Sequence, residues 1–156
     1  KNLATQQNVA GFYRQTKVSL VNVNSTLNRD TTMKFLENYQ EQAYALLRIT
    51  TGFMFLLHGT QKFFNFPQQY PYGELGFLTI AAGSIELIGG VLIILGLTTR
   101  GAAFLCSGTM AVAYWLYHGT QSFYPIVNGG EVAALYCFIF LFIACKGSGI
   151  WSMDNK

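Results

Sequence analysis

Four long apolar blocks restrict what this sequence can fold into. In chain order they are Ala43–Phe64, Leu75–Leu97, Ala102–Tyr117 and Val132–Cys145. A helix that crosses about 30 Å of hydrocarbon needs about 20 apolar residues; the first two blocks provide them, and the other two do so only if their flanks lie among the lipid headgroups. A soluble helix would carry a polar stripe at a period of about 3.6 residues, and the second and fourth blocks carry none. The sequence therefore predicts an all-α integral membrane four-helix bundle.

The charged residues indicate the orientation of this bundle. Only 11% of the chain is charged, against 51% hydrophobic, whereas a soluble domain is about 25% charged. Basic residues concentrate before the first block, in the link between the second and third blocks, and after the fourth. Because segments rich in Lys and Arg stay on the inner side of the membrane, both termini are predicted to be cytoplasmic. The predicted partner is the lipid bilayer, and no stretch combines basic and aromatic residues in a way that points to nucleic acid.

Residues 1–32 differ from the rest of the chain. They are rich in Asn, Gln and Thr, show no hydrophobic period, and contain no apolar run typical of a signal peptide. Two interpretations stay open: a disordered tail, or an upstream segment that is not translated natively because the start lies at Met33. In either case the predicted membrane domain covers residues 33–154.

Ionisable residues inside the apolar blocks are the first candidates for a site. Burying such a group in a membrane helix costs about 2.5–3.5 kcal/mol, so it normally faces the bundle and pairs. At about 100° per residue, the ionisable residues and both glycines of the first block lie on one face. Glu86 lies on the glycine face of the second block, near mid-membrane. The predicted partner of Glu86 is Arg48, and the alternative is a protonated Glu86 that bonds toward His58. The predicted bundle-interior polar residues are Arg48, His58, Lys62 and Glu86.

A second polar group gathers where the first, third and fourth blocks meet the outer surface. It is predicted to rim a shallow outward pocket. The end of the first block contributes His58, Gln61 and Lys62, and the other two blocks contribute His118, Asn128 and Glu131. Two histidines and a glutamate can bind a metal, but they lack a local spacing here, so no metal site is predicted. The cysteines show no C-x-x-C spacing and are predicted to be packing residues; they are Cys106, Cys137 and Cys145.

Three stretches of the sequence resemble the DoxX/DoxD family of small four-helix membrane proteins. They read "LLRITTGFMFLLHGTQKFF", "IELIGGVLIILGLTTRGAA" and "NGGEVAALYCFIFLFIACKGSGIWSMD". The third ends in the family pattern G-x-G-x-[YW]-S-x-D, from Gly147 to Asp154, with Ser148 where the family often has proline. The resemblance covers Met33 to Asp154.

This resemblance implies a bacterial plasma-membrane protein with several spans. Family members include a membrane subunit of thiosulfate:quinone oxidoreductase and proteins associated with oxidative or thiol stress. The implied function is that of a redox-associated subunit that works near quinones or sulfur compounds. Arg48, His58, Lys62 and Glu86 would supply protons and hydrogen bonds to a quinone, and a partner redox protein would supply electrons, because no haem, flavin or dithiol motif is visible. The alternative is a non-catalytic membrane scaffold or small-molecule channel, so whether the chain is an enzyme stays open.

Overall fold

The computed structural model describes Gln15 and residues 33–155. The chain divides into two compact units, Lys1–Tyr39 and Gln40–Lys156. Within the first unit, a single-turn helix α1 (Lys34–Glu37) has only exposed side chains. Residues 1–14 and 16–32 lie outside the described residues. The prediction that residues 1–32 are a disordered tail or an upstream segment falls on them, so it stays a prediction.

The second unit contains the helices that correspond to the apolar blocks. They are α2 (Gln40–Phe64), α3 (Phe77–Leu95), α4 (Thr99–Ala113) with a π-helical turn (Tyr114–His118), α5 (Pro125–Asn128) and α6 (Glu131–Lys146). No strand occurs in the part of the chain that the structure describes, so the prediction of an all-α protein is confirmed. Among the described helices, α3 is the one that is both long enough and apolar enough to cross a membrane.

Glycines bring α2 and α3 into direct backbone contact. A Cβ atom added at Gly59 would lie 2.7 Å from the backbone nitrogen of Leu87, and one added at Gly90 would lie 2.8 Å from that of Leu56. Such contacts are possible only without side chains, which is how small residues draw membrane helices together. The prediction that the glycine faces of the first two blocks point into the bundle is therefore confirmed.

The helices are packed unequally. Contacts are most extensive between α2 and α3 and between α4 and α6, fewer join α3 to α4, and α2 meets α6 only sparingly. Aromatic rings fill the seam between α2 and α6, where Phe55 packs at 4.7 Å between centroids against Phe140. The buried core consists of Tyr44, Phe55, Ile93, Ala102, Ala103, Cys106, Met110, Tyr136, Phe140 and Ile143.

The segment after α6 closes one end of the bundle, which we call the Arg48 end. Helix α3 stops at Gly96, whose φ of 64° ends the helix in the left-handed region. The backbone amides of Met153 and Asp154 then donate to the carbonyls of Leu95 (3.0 Å) and Gly96 (2.9 Å). The C-terminal family pattern thus docks onto the turn between α3 and α4. We call the opposite end, with the loop from α2 to α3, the His58 end.

Candidate functional site

Glu86 forms an ion pair with Lys62, in the interior between α2 and α3. The Lys62 ammonium donates to Oε2 of Glu86, and the two side chains are only 16% and 4% exposed. The prediction that Glu86 pairs with Arg48 is therefore wrong. The alternative, a bond from Glu86 toward His58, is not present either.

Arg48 instead binds backbone carbonyls at the other end of the bundle. Its guanidinium is fully buried and donates to the carbonyls of Ile93 (2.5 Å) and Ile94 (2.8 Å), in the last turn of α3. It also donates to those of Ile150 (3.3 Å) and Trp151 (2.7 Å) in the C-terminal segment. Carbonyls at a helix C-terminus lack intrahelical partners and carry partial negative charge, so they replace the predicted carboxylate.

The contact register of α2 and α3 explains the exchange of partners. Gly59 lies against Gly83 and Leu87, while Gly52 lies against Gly90 and Ile93. The two helices are antiparallel, and these contacts fix their heights along the bundle axis. Glu86 lies at the height of the turn of α2 that precedes Lys62, and Arg48 lies at the height of the end of α3. Arg48 therefore lies about ten residues, or about 15 Å of helix, away from the level of Glu86.

His58 lies one helical turn before Lys62, on the edge of a cavity, and the residue is exposed. The prediction that His58 lies in the bundle interior is therefore wrong. The cavity has a volume of about 240 Å³ and is lined by Met54, Leu57, His58, Gln61, Pro67 and Gln68. Residues 67 and 68 belong to the loop after α2, which is fixed by a 2.9 Å bond from the Thr60 hydroxyl to the carbonyl of Phe66. The cavity thus combines three polar side chains with apolar walls at the His58 end.

Tyr136 on α6 completes the surroundings of His58. Its ring meets the imidazole edge to face, with centroids 6.0 Å apart, and stacks on Phe140 at 5.7 Å. Tyr136 is only 6% exposed, yet its hydroxyl has no hydrogen-bond partner among the described residues. Tyr136 was not among the residues predicted from the sequence, although its spacing of four residues from Phe140 places both on one face of the fourth block.

The predicted outer group is only partly assembled. Nδ1 of His118 lies 2.9 Å from the carbonyl of Asn128, and the Asn128 amide donates to Ser122 and to the hydroxyl of Tyr114. Glu131 is exposed at the first residue of α6 and makes no hydrogen bond with its side chain in the described part of the chain. His118 and Asn128 thus hold the connection between α4 and α6 in place, and Glu131 stands apart from them.

A larger cavity of about 630 Å³ lies at the Arg48 end. Its cationic side chains already have partners: Arg100 donates to the carbonyls that end α6, and Lys146 pairs with Glu41 at 2.8 Å. The Asp154 carboxylate accepts the amide and hydroxyl of Thr99 and the amide of Thr98, which together hold its pKa below the usual value. This cavity is lined by groups that are engaged in holding the fold together, so we place the candidate site at His58.

The cysteines differ in their surroundings, and all three are free thiols. Cys106 is buried against Gly89, where an added Cβ would lie 2.5 Å from its sulfur. Cys137 is half-buried and Cys145 is exposed. No group of three potential metal ligands occurs in the described ranges.

Comparison with known proteins assigns the family. The profile of the DoxX family matches residues 43–119, which include most of α2, all of α3 and α4, and the residues that line the His58 cavity. A protein of Haemophilus influenzae described as uncharacterized is 44% identical over 130 residues, covering 80% of this chain and 97% of its own length. The chain belongs to the DoxX family.

Two further relatives are more distant. The Bacillus subtilis protein named "Putative oxidoreductase CatD" is 31% identical over 113 residues, covering 70% of this chain and 82% of its own. The "Uncharacterized membrane protein Rv3486" of Mycobacterium tuberculosis is 27% identical over 128 residues, covering 70% and 78%. No solved structure matches the chain significantly. Family membership and the relative described as a membrane protein indicate that this DoxX-family chain is a membrane protein.

Proposed function

We propose that this DoxX-family chain is a four-span protein of the bacterial plasma membrane, with both termini in the cytoplasm. Large apolar side chains are exposed on all four long helices, among them Phe53 (52%), Ile88 (60%), Phe104 (69%) and Phe138 (69%). A soluble protein rarely exposes so many large apolar side chains, whereas lipid would cover them. Helix α6 has 16 residues, about 24 Å, so its span would include the flanking glycines or draw the bilayer thinner.

We further propose that the His58 cavity binds the head group of a quinone and that the chain is a redox-associated membrane subunit. The observation that carries this proposal is the position of His58. It lines a cavity with Gln61 and Gln68, and it lies one helical turn from the buried pair of Lys62 and Glu86. The relative named as an oxidoreductase supports a redox role.

The residues at this site fit a quinone. A quinone presents two carbonyl oxygens that accept hydrogen bonds, and its ring needs apolar contacts. His58 makes no hydrogen bond to the described residues, so an imidazole N–H is free to donate to such an oxygen. The side chains of Met54, Leu57 and Pro67 supply the apolar walls.

When bound, a quinone would accept two electrons and two protons, which the chain alone does not provide. The electrons would come from a partner redox protein. His58 would orient the carbonyl through its N–H and would pass on one proton at that nitrogen while its other ring nitrogen takes one up from solvent. The second proton would come from the ion pair of Lys62 and Glu86, one helical turn away.

The test is ligand binding to the purified chain in lipid nanodiscs. Short-chain ubiquinone and menaquinone are titrated and the affinity is measured by calorimetry. We expect His58→Leu to weaken binding at least about tenfold, because it removes a hydrogen bond to the ligand and leaves an acceptor unpaired. The matched control is His118→Gln, which changes the other histidine and should leave the affinity within about twofold.

Absence of quinone binding by the wild-type protein would overturn the proposal. The alternative of a non-catalytic scaffold or small-molecule channel would then be favoured, since the Lys62–Glu86 pair would serve helix packing alone. Equal losses in the His58 and His118 variants would also contradict the location of the site.

A further inference from the structure

The hydroxyl of Tyr136 is a polar group that the fold itself does not use. The side chain is only 6% exposed, and its oxygen has no partner among the described residues. Phenylalanine would make the same ring contacts with Phe55 and Phe140 without burying an oxygen. A buried hydroxyl left unpaired lowers stability and is rare in native structures, so this one calls for a partner outside the chain.

The surroundings of Tyr136 indicate where that partner lies. The ring meets His58 edge to face at 6.0 Å, so the two residues face each other across the seam between α2 and α6. That seam is filled by the rings of Phe55, Tyr136 and Phe140, which hold the two backbones apart. A planar molecule that binds at the His58 end of this seam would have His58 on one helix and Tyr136 on the other.

We propose that Tyr136 is a second ligand-binding residue of the site, with its hydroxyl donating a hydrogen bond to a ligand carbonyl oxygen. This inference rests on the proposed binding of a quinone at His58. Two donors from different helices would select planar molecules that carry carbonyl oxygens over hydrocarbon rings of the same size. Binding would also draw α2 and α6 together, because each contributes one of the two hydrogen bonds.

The experiment compares two tyrosines whose hydroxyls differ in their partners. Tyr136→Phe removes the unpaired hydroxyl. Tyr114→Phe removes a hydroxyl that donates to the carbonyl of Phe123 at 3.1 Å and accepts from Asn128 at 3.3 Å. For each variant, the melting temperature without ligand and the affinity for short-chain menaquinone are measured in the same nanodiscs.

We expect Tyr136→Phe to melt at or above the wild-type temperature and to bind menaquinone about tenfold more weakly, the effect of losing one hydrogen bond. Tyr114→Phe should melt lower and bind normally. A lower melting temperature for Tyr136→Phe would show that its hydroxyl has a partner in the fold, and unchanged affinity would show that the ligand does not use it; either result overturns the inference. Failure of the wild-type protein to bind menaquinone or ubiquinone would instead refute the proposed function itself, so the two failures are distinguishable.

Discussion

The partner of Glu86 can be tested by two thermodynamic cycles that share one residue. The first combines Lys62→Met with Glu86→Met, and the second combines Arg48→Met with Glu86→Met. The structure places Lys62 on Glu86 and places Arg48 on four backbone carbonyls instead. Only the first cycle should therefore show a coupling energy.

The expected magnitudes follow from burial. Breaking a buried ion pair costs about 3–5 kcal/mol, whereas replacing both partners with apolar residues can be nearly neutral. Lys62→Met leaves the Glu86 carboxylate unpaired; because this side chain is only 4% exposed, the variant should lose the full amount of about 3–5 kcal/mol of unfolding free energy. Glu86→Met leaves the Lys62 ammonium unpaired; because this side chain is 16% exposed and can reach water, the variant should lose less. The double variant should lie close to the wild type, which corresponds to a coupling energy of at least about 3 kcal/mol.

The second cycle should be additive. Arg48→Met removes all four hydrogen bonds to the carbonyls. It should cost about 3–5 kcal/mol, because bonds to a charged donor contribute about 1.5–3 kcal/mol each and the freed carbonyls at this end of the bundle can regain part of that from water. Adding Glu86→Met to Arg48→Met should lower the free energy of unfolding by the same amount that Glu86→Met lowers it in the wild type, within about 0.5 kcal/mol. The measurement is equilibrium unfolding in mixed micelles followed by circular dichroism. Coupling between Arg48 and Glu86 that equals or exceeds coupling between Lys62 and Glu86 would refute the reasoning.

Three further predictions concern packing, pH and topology. Gly59→Ala should lower the free energy of unfolding by about 1–3 kcal/mol, because the new Cβ would lie 2.7 Å from the Leu87 nitrogen, whereas Gly108→Ala meets nothing within 4 Å and should be neutral or stabilising in the same assay. The lowered pKa of Asp154 means that its carboxylate stabilises the fold at pH values above the ordinary carboxyl pKa, and that this stability is lost as the pH falls through the lowered pKa of the folded state. Asp154→Asn should therefore have a lower melting temperature than the wild type at pH 7, and the two melting temperatures should converge in acid. A difference that persisted in acid would contradict this prediction. A reporter that is active only in the periplasm should be inactive when fused after Lys156, and strong activity there would reverse the proposed orientation.

The sequence predicted the helices well because each is a continuous apolar block between polar breaks. It also predicted which faces of α2 and α3 touch, since glycines recur on one side of each helix. It could not predict the register between these helices, because helical angles give direction around an axis and not level along it. Arg48 and Lys62 share a face, and only the contacts of Gly52 and Gly59 with α3 decide which of them is level with Glu86.

The orphan hydroxyl of Tyr136 was beyond sequence reasoning for a different reason. A tyrosine in an apolar block resembles an interfacial residue, and only coordinates show that its oxygen lacks a partner. The function of the C-terminal pattern was also hidden in the sequence. Asp154 is 55 residues from the helix start that its carboxylate caps, a separation that no local motif conveys.

The two ends of the bundle differ in whether their polar groups are already paired. At the Arg48 end, the guanidinium of Arg48 binds carbonyls of two segments, Arg100 binds those that end α6, and Asp154 binds the start of α4. Apart from Nε of Arg48, which is buried without a partner among the described residues, these donors and acceptors are engaged by the backbone, so a ligand there would have to break bonds that stabilise the fold. At the His58 end, His58 and Tyr136 keep donors that the described chain does not use. Substitutions at the first end should therefore act through stability, and substitutions at the second should act through binding in a protein that folds normally.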